Sequence, residues 1–166
     1  AAHRLRLSGH RVTVVDRMPE AGGTLNYVIP AYRLPKAVVR DCVEAIESLG
    51  VKFKLNVNFG KDVKLSALRK EYDAVFLATG ALEPVLIGIP GEGLALPGVA
   101  FLTSVKQGNP ADLGTRVAVI GGGNTAIDAA RTAKRLGVKE VTIIYRRTRN
   151  EMPASAEEID GALEEG

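Results

Sequence analysis

Three consecutive glycines form the pattern in this chain that best predicts chemistry. They follow a predicted strand at 116–120 and precede a predicted helix at 124–136. Ala126 completes the spacing Gly-x-Gly-x-x-Ala, in which the first glycine permits a tight turn and the second lets a diphosphate approach the backbone. The free N–H groups and the dipole of the helix start favour that anion. The predicted diphosphate-binding residues are Gly121, Gly122, Gly123, Asn124 and Thr125. The alternative is a glycine-rich turn without a ligand.

Two arginines follow the next predicted strand, 140–145. Arg146 and Arg147 stand where a site for NAD(H) usually has Asp or Glu to bind the ribose 2′-hydroxyl. Guanidinium groups instead bind a 2′-phosphate through charge-assisted, bidentate hydrogen bonds. The pair therefore predicts NADP(H) as the nucleotide. A solvated basic strand end is the alternative.

The first half of the chain contains weaker signals of the same kind. Asp16 closes a predicted strand at 11–16, a position from which an acid can hold the ribose of a second dinucleotide. A glycine-rich loop, Gly22-Gly23-Thr24-Leu25, follows. Thr79 and Gly80 close the apolar run 73–78, which is typical of a strand buried on both faces. A solvated acid is the commoner reading of Asp16 alone, but the order of the three signals favours a second nucleotide site.

The elements that must position these residues alternate between helix and strand. Helices are predicted at 1–8, 35–49, 65–70 and 154–165, and further strands at 51–57 and 73–78. A segment rich in Pro and Gly at 84–98 marks the boundary between two units. We therefore predict an α/β protein with two Rossmann-like dinucleotide-binding units in series, covering residues 1–98 and 99–166.

Composition excludes several functional classes. The 166 residues are 46% hydrophobic and 25% charged, and no apolar run approaches the roughly 18 residues of a membrane span. The N-terminus has no apolar segment like that of a signal peptide, and Cys42 is the only cysteine, so a reducing cytoplasm is expected. The net charge of +3 comes from basic residues interleaved with acids, which disfavours nucleic acid as a partner.

Several other residues receive structural interpretations. Cys42 lies on the predicted apolar face of the helix at 35–49 and is expected in the core. Asp128 is expected to face either a flavin or solvent. The acidic pairs 157–158 and 164–165 predict a solvated face of the last helix. Because the chain starts without Met and inside a predicted helix, we expect a fragment of a larger protein.

Five stretches together resemble one protein family. They are Gly22-Gly23, Ile29-Pro30-Ala31-Tyr32-Arg33-Leu34-Pro35-Lys36, Ala78-Thr79-Gly80, Gly121-Gly122-Gly123-Asn124-Thr125-Ala126-Ile127-Asp128 and Tyr145-Arg146-Arg147-Thr148-Arg149-Asn150-Glu151-Met152-Pro153-Ala154. The chain resembles, over essentially its whole length, the glutamate synthase small (β) subunit family. The same module is found in the flavin half of dihydropyrimidine dehydrogenase and in NADH-dependent ferredoxin–NADP oxidoreductase. Val28 stands where that family usually has Gly, and Asp16 where Glu is commoner.

The resemblance implies a flavoprotein that passes hydride from NADPH to FAD, and then single electrons to iron–sulfur clusters in parts not present in this chain. Hydride transfer needs aligned rings rather than an acid or a base, so no catalytic side chain is expected. The implied FAD contacts are Asp16, Gly22, Gly23, Leu25, Arg33, Thr79 and Gly80. The implied NADPH contacts are Gly121, Gly123, Asn124, Thr125, Arg146 and Arg147.

Two alternative functions remain at this stage: an electron-transfer subunit of another iron–sulfur complex, and a nucleotide-binding module without redox activity. The family's first glycine-rich loop, which holds the FAD diphosphate, is absent from the chain. Without the strand that precedes this loop, the strands at 12–15 and 74–78 would expose apolar edges. Expressed alone, the segment is expected to aggregate and to hold FAD poorly.

Overall fold

A computed structural model describes residues 1–81, 83–84 and 87–166 and contains short parallel sheets flanked by helices. The strands are β1 Thr13–Val15, β2 Lys52–Lys54, β3 Arg116–Ile120 and β4 Glu140–Ile144. The helices are α1 Ala2–Leu7, α2 Gly23–Tyr27, α3 Lys36–Ser48, α4 Leu65–Glu71, α5 Gly98–Lys106, α6 Asn124–Arg135 and α7 Ala156–Glu164. Over the described ranges, no helix is both long enough and apolar enough to cross a membrane.

The chain divides into two compact units. The first comprises Ala1–Asn26 and Ala31–Ala81, and the second comprises Tyr27–Pro30 and Leu82–Gly166. The break after Ala81 lies just before the segment rich in Pro and Gly. Positions 85 and 86 of that predicted segment lie outside the described residues, so the boundary at 98 stays a prediction.

In the first unit, β1 pairs in parallel with β2, with Val14 opposite Phe53. The crossover between them includes α3, as a parallel pair requires. Pro35 directly precedes α3, so the helix starts one residue after the predicted position. The helix ends at Leu49 and Gly50, where Gly50 adopts a φ of 90°.

The second unit contains a strand–helix–strand motif whose bounds agree with the predicted ones to within one residue. β3 and β4 pair in parallel along their full length, from Arg116 opposite Glu140 to Ile120 opposite Ile144. Helix α6 connects them and packs on one face of the pair. The buried core consists of Val28, Phe101, Leu102, Ala129, Ala133 and Val138. The small side chains of Ala129 and Ala133 on α6 allow this close approach to the strands.

Several sequence-based expectations are wrong. Residues 73–78 form no strand, and Phe76 and Leu77 are 73% and 54% exposed. A buried parallel strand needs partner strands and covering helices, and the described residues supply neither along this segment. The predicted strand at 51–57 shortens to Lys52–Lys54, because Asn56 turns the backbone with a φ of 57°.

Helix α3 buries a face that is rotated by one position from the predicted one. Cys42 is exposed rather than in the core, and Val38 is 49% exposed. Val39 is buried and Val43 half-buried, and these two residues have the same helical spacing as Val38 and Cys42. The choice between the two faces depends on the packing surface, which periodicity alone does not reveal.

Helices α2 and α5 were not predicted. Glycines at 22–23 suggested a loop, yet α2 begins at Gly23. Helix α5 begins at Gly98, where the segment rich in Pro and Gly ends, and it buries Phe101 and Leu102. The apolar spacing of Phe101, Leu102 and Val105 is a signal that could have identified this helix.

Candidate functional site

The glycine-rich loop makes a sharp turn from β3 into α6. Gly121 adopts a φ of 142°, and its N–H donates to the Ile144 carbonyl at 2.9 Å. A Cβ atom at Gly121 would lie 3.2 Å from the Cβ of Ala126. A side chain larger than alanine at position 126 would widen this turn. The first and third positions of the glycine pattern thus depend on each other for close packing of loop and helix.

Gly122 is buried against the ring of Tyr145. A Cβ atom at Gly122 would lie 2.7–2.9 Å from three ring carbons, a distance at which real atoms clash. The Tyr145 hydroxyl donates to the Glu151 carbonyl at 3.2 Å. Tyr145 therefore connects the loop to the chain that follows β4, a role that the sequence interpretation did not assign to it.

Gly123 leaves open space where helix α6 starts. In the described part of the chain, a Cβ atom there would meet only Pro153, at 4.0 Å. The Gly123 carbonyl accepts from the N–H groups of Ala126 and Ile127 at 2.9 and 3.1 Å. The N–H groups of Asn124 and Thr125 precede these bonds and donate to no backbone acceptor among the described residues. The loop thus presents two unused donors at the positive end of a helix dipole.

Residues 148–155 form hydrogen bonds with the glycine-rich loop and with the first residue of α6. The N–H of Ala154 donates to the Gly122 carbonyl at 3.1 Å, and the N–H of Ser155 donates to Asn124 Oδ1 at 3.2 Å. Thr148 donates through its hydroxyl to the Glu151 carboxylate at 2.8 Å. This hydrogen bond, with a second one from the Thr148 N–H, holds the pKa of Glu151 below its usual value.

Two arginines remain available at the end of β4. Arg146 and Arg147 are exposed, and in the described part of the chain their guanidinium groups make no hydrogen bond or ion pair. Arg149 differs, because its Nη2 lies 2.5 Å from Asp160 Oδ1. Of the three basic side chains in this cluster, two are therefore available to an anion and the third is paired.

Asp16 occupies the end of β1 in the first unit. Its N–H donates to the Lys54 carbonyl at 3.1 Å, and its carbonyl accepts from Val57 at 2.9 Å. The carboxylate Oδ1 accepts the N–H of Met18 at 2.9 Å. One carboxylate oxygen thus fixes the turn after the strand, while the residue stays half-buried.

Gly22 of the first unit packs against α3. Gly22 adopts a φ of 118°, and a Cβ atom there would lie 2.8 Å from Val39 Cγ1. Asn26 is 6% exposed, and its Nδ2 donates to the Ala21 carbonyl at 3.1 Å and to Glu20 at 3.0 Å. This buried amide fixes the turn before Gly22 and was not identified from the sequence.

The remaining predicted flavin contacts differ in how exposed they are to solvent. Leu25 is 51% exposed, and its carbonyl accepts from Lys36 Nζ at 2.8 Å. Arg33 is half-buried, whereas Thr79 and Gly80 are exposed and lie outside any paired strand. The structure therefore assembles the predicted loop and helix start of the second unit, whereas the residues predicted in the first unit are more dispersed.

Two further predictions concern acids near α6 and α7. Asp128 is only 3% exposed, which excludes the solvent-facing alternative. The solvated acidic face expected for α7 is wrong at Glu158 and Glu165, because both carboxylates bind Arg131. The basic partner lies 27 and 34 residues earlier in the chain, too far for helical spacing to reveal it.

Comparison with known proteins relates residues 1–165 to a family described as pyridine nucleotide-disulphide oxidoreductase. The chain is 46% identical to the NADP(+)-dependent formate dehydrogenase subunit beta of Moorella thermoacetica, with 100% of the chain and 24% of that protein aligned. It is 42% identical to the NADPH-Fe(3+) oxidoreductase subunit beta of Geobacter sulfurreducens, over 99% of the chain and 26% of the relative. It is 40% identical to the glutamate synthase [NADPH] small chain of Escherichia coli, over 98% and 37%. The chain thus spans well under half of each relative.

Solved structures confirm the predicted fold class. FprA from Mycobacterium tuberculosis in complex with NADPH superposes on 98% of the chain with a TM-score of 0.76 and 23% sequence identity, using 44% of the FprA chain. A 2-naphthoyl-CoA reductase complex covers 99% of the chain with a TM-score of 0.74 and 24% identity, using 24% of that chain. Both comparisons support an α/β dinucleotide-binding fold.

Proposed function

The chain belongs to the pyridine nucleotide-disulphide oxidoreductase family, and from this premise we propose that it is the nucleotide-binding part of a flavoprotein oxidoreductase that oxidises NADPH. One observation supports the proposal most strongly. The start of α6 follows β3, and its first N–H groups donate to no backbone acceptor among the described residues. Arg146 and Arg147 follow the paired strand β4, and their guanidinium groups have no partner among the same residues. This arrangement offers separate positions for the diphosphate and the 2′-phosphate of one nucleotide.

The diphosphate would bind at the glycine-rich loop. Gly123 leaves the space open, and over the described ranges the N–H groups of Asn124 and Thr125 donate to no backbone acceptor. Helix α6 has 12 residues, so its dipole adds to the attraction for an anion. Gly121 and Gly122 contribute by allowing the turn and the packing that aim these donors.

The 2′-phosphate would bind at Arg146 and Arg147. Both guanidinium groups lack a competing carboxylate in the described part of the chain, so binding a phosphate breaks no existing ion pair. Relatives named for NADP(+) or NADPH are consistent with this selectivity. NADH lacks the 2′-phosphate and would gain nothing from these side chains.

The first unit contains residues that fit part of an FAD site. Asp16 is held at a strand end with Oδ1 bound to Met18, and among the described residues its Oδ2 accepts no hydrogen bond, so that oxygen could accept from a ribose hydroxyl. The proposed contacts are Asp16, Gly22, Gly23, Leu25, Arg33, Thr79 and Gly80. FAD, when bound, supplies the exchange between hydride transfer and single-electron transfer.

The acceptor of the electrons would be an iron–sulfur domain or subunit outside this chain. The relatives carry three different names, for a formate dehydrogenase, an Fe(3+) oxidoreductase and a glutamate synthase. This variety supports a common NADPH-oxidising module that serves different electron acceptors. The acceptor used in glutamate synthesis is one candidate. We also propose a cytoplasmic location, supported by the single cysteine in the chain.

Anaerobic mixing of NADPH with the full-length, FAD-loaded protein tests this function. The visible absorbance of the flavin should bleach within one turnover, and NADH at the same concentration should bleach it more slowly. Binding of NADPH without bleaching would show a nucleotide-binding module without redox activity. Absence of NADPH binding would contradict the proposed function altogether.

A further inference from the structure

A cluster of ion pairs joins the last helix to the helix of the glycine-rich loop. Arg131 on α6 binds Glu158 through Nη1 at 2.5 Å and Glu165 through Nη2 at 2.6 Å. Arg131 Nε and Arg135 Nε also donate to Glu165, each at 3.0 Å. One arginine thus contacts carboxylates at two positions separated by about two turns of α7.

The Arg131 guanidinium is packed as well as paired. The Arg131 side chain is only 13% exposed. A Cβ atom at Gly161 would lie 3.2 Å from three atoms of the guanidinium, so glycine at this position lets α7 approach closely. The pKa of Glu165 falls to about 2, mainly through its hydrogen bond from Arg135 and also through Arg131. The Glu165 carboxylate therefore stays ionised at neutral pH.

The start of α7 is bound to the nucleotide loop. Ser155 precedes the helix, and its N–H donates to Asn124 Oδ1 at 3.2 Å. The N–H of Ala154 donates to the Gly122 carbonyl at 3.1 Å. Helix α7 is therefore anchored at one end to the loop and along its length to Arg131.

Building on the proposed function, we propose that Arg131 is a positioning residue for the pyridine nucleotide: through α7, it keeps the Asn124 side chain bound to Ser155. An Asn side chain near a helix start readily accepts neighbouring backbone N–H groups. Once α7 loosens, the Asn124 amide oxygen is released and competes with the diphosphate for the N–H donors of the loop. Arg131 acts in this way without touching the nucleotide.

Matched acidic pairs on α7 give the controls for a first test. Glu165→Gln and Glu158→Gln weaken the cluster, whereas Glu164→Gln and Glu157→Gln change exposed carboxylates without a partner in the described part of the chain. In the full-length, FAD-loaded protein, Glu165→Gln should raise KM for NADPH about threefold to thirtyfold, the range of indirect coupling between residues. The value of kcat should stay unchanged, as should both parameters in the controls.

The nucleotide comparison separates this role from a general loss of stability. NADPH and NADH share the diphosphate, so KM should rise by the same factor for both. A rise confined to NADPH would overturn the inference, because it would place the effect at the 2′-phosphate. An unchanged KM in Glu165→Gln would overturn it too. A wild-type protein that fails to bind NADPH would instead refute the proposed function.

A double-mutant cycle tests the route through Asn124. In an Asn124→Ala background the competing amide oxygen is gone, so Arg131→Gln should cause no further rise in KM. Additive effects of the two substitutions would overturn the proposed route. Flavin content and circular dichroism of each variant establish that the protein is folded, and Glu165→Gln provides the same test if Arg131→Gln does not fold.

Discussion

The amide oxygen of Asn124 accepts the backbone N–H of Ser155 at 3.2 Å, so the first residue of one helix holds the residue that precedes another. Asn124 was predicted to present its own N–H to a diphosphate. The amide oxygen of Asn124 is bound to Ser155. The Asn124 side chain therefore supports the loop, while its backbone N–H is left for the predicted diphosphate contact. The nucleotide loop is therefore supported by chain that follows it by about thirty residues, well beyond the range of helical neighbours.

Replacing Gly122 should damage the loop through packing. In Gly122→Ala the new Cβ would lie 2.7 Å from the Tyr145 ring, and such overpacking costs about 1–3 kcal/mol. We expect a lower free energy of unfolding and weaker NADPH binding, measured by denaturant titration and by fluorescence. Gly93→Ala is the matched control, since a Cβ there has no neighbour within 4 Å among the residues that the structure describes. Equal behaviour of the two variants would contradict the packing described here.

Releasing Arg149 should strengthen selection for the 2′-phosphate. Asp160→Asn removes the carboxylate that lies 2.5 Å from the Arg149 guanidinium, leaving a third cation near Arg146 and Arg147. Exposed charges interact weakly, so NADPH affinity should rise only about twofold to fivefold at low salt. The gain should fade above about 0.1 M salt, where the Debye length is about 10 Å. Glu157→Gln is the control, and a similar gain for NADH would argue against the interpretation.

Acid should weaken the attachment of α7 through Glu165. The folded-state pKa of about 2 lies below the ordinary value of 4.5, so the ionised carboxylate stabilises the fold above pH 4.5 and loses that effect as the pH falls toward 2. Unfolding measured from about pH 5 downward should show a smaller loss of stability for Glu165→Gln than for Glu164→Gln. Parallel pH profiles for the two variants would contradict this assignment.

Local patterns explain what the sequence could predict. The strand–helix–strand motif from Arg116 to Ile144 carries the sequence signals of each element within itself. They are glycines at the turn, small residues on the helix and β-branched residues in both strands. These signals act between near neighbours, so the predicted bounds agree with the structure to within one residue. The start of α3 directly after Pro35 was predictable to within one residue for the same reason.

Features that depend on distant residues were not predictable. The run at 73–78 has the composition of a buried strand, but burial requires partners that composition does not reveal. The ion pairs of Glu158 and Glu165 depend on how α7 crosses α6. Cys42 was assigned to the core because periodicity defines a helical face only to within one position. In each case the missing information was the identity of the packing partner.

The comparison of NADPH with NADH tests the central claim that Arg146 and Arg147 select a nucleotide with a 2′-phosphate. Dissociation constants should be measured for wild type, Arg146→Ala and Arg147→Ala in the full-length protein at one fixed salt concentration. Because a hydrogen bond to a charged group is worth about 1.5–3 kcal/mol, each substitution should weaken NADPH binding about tenfold to a hundredfold. NADH binding should change less than about twofold, since that nucleotide has no phosphate at this position. Equal losses for both nucleotides would contradict the account.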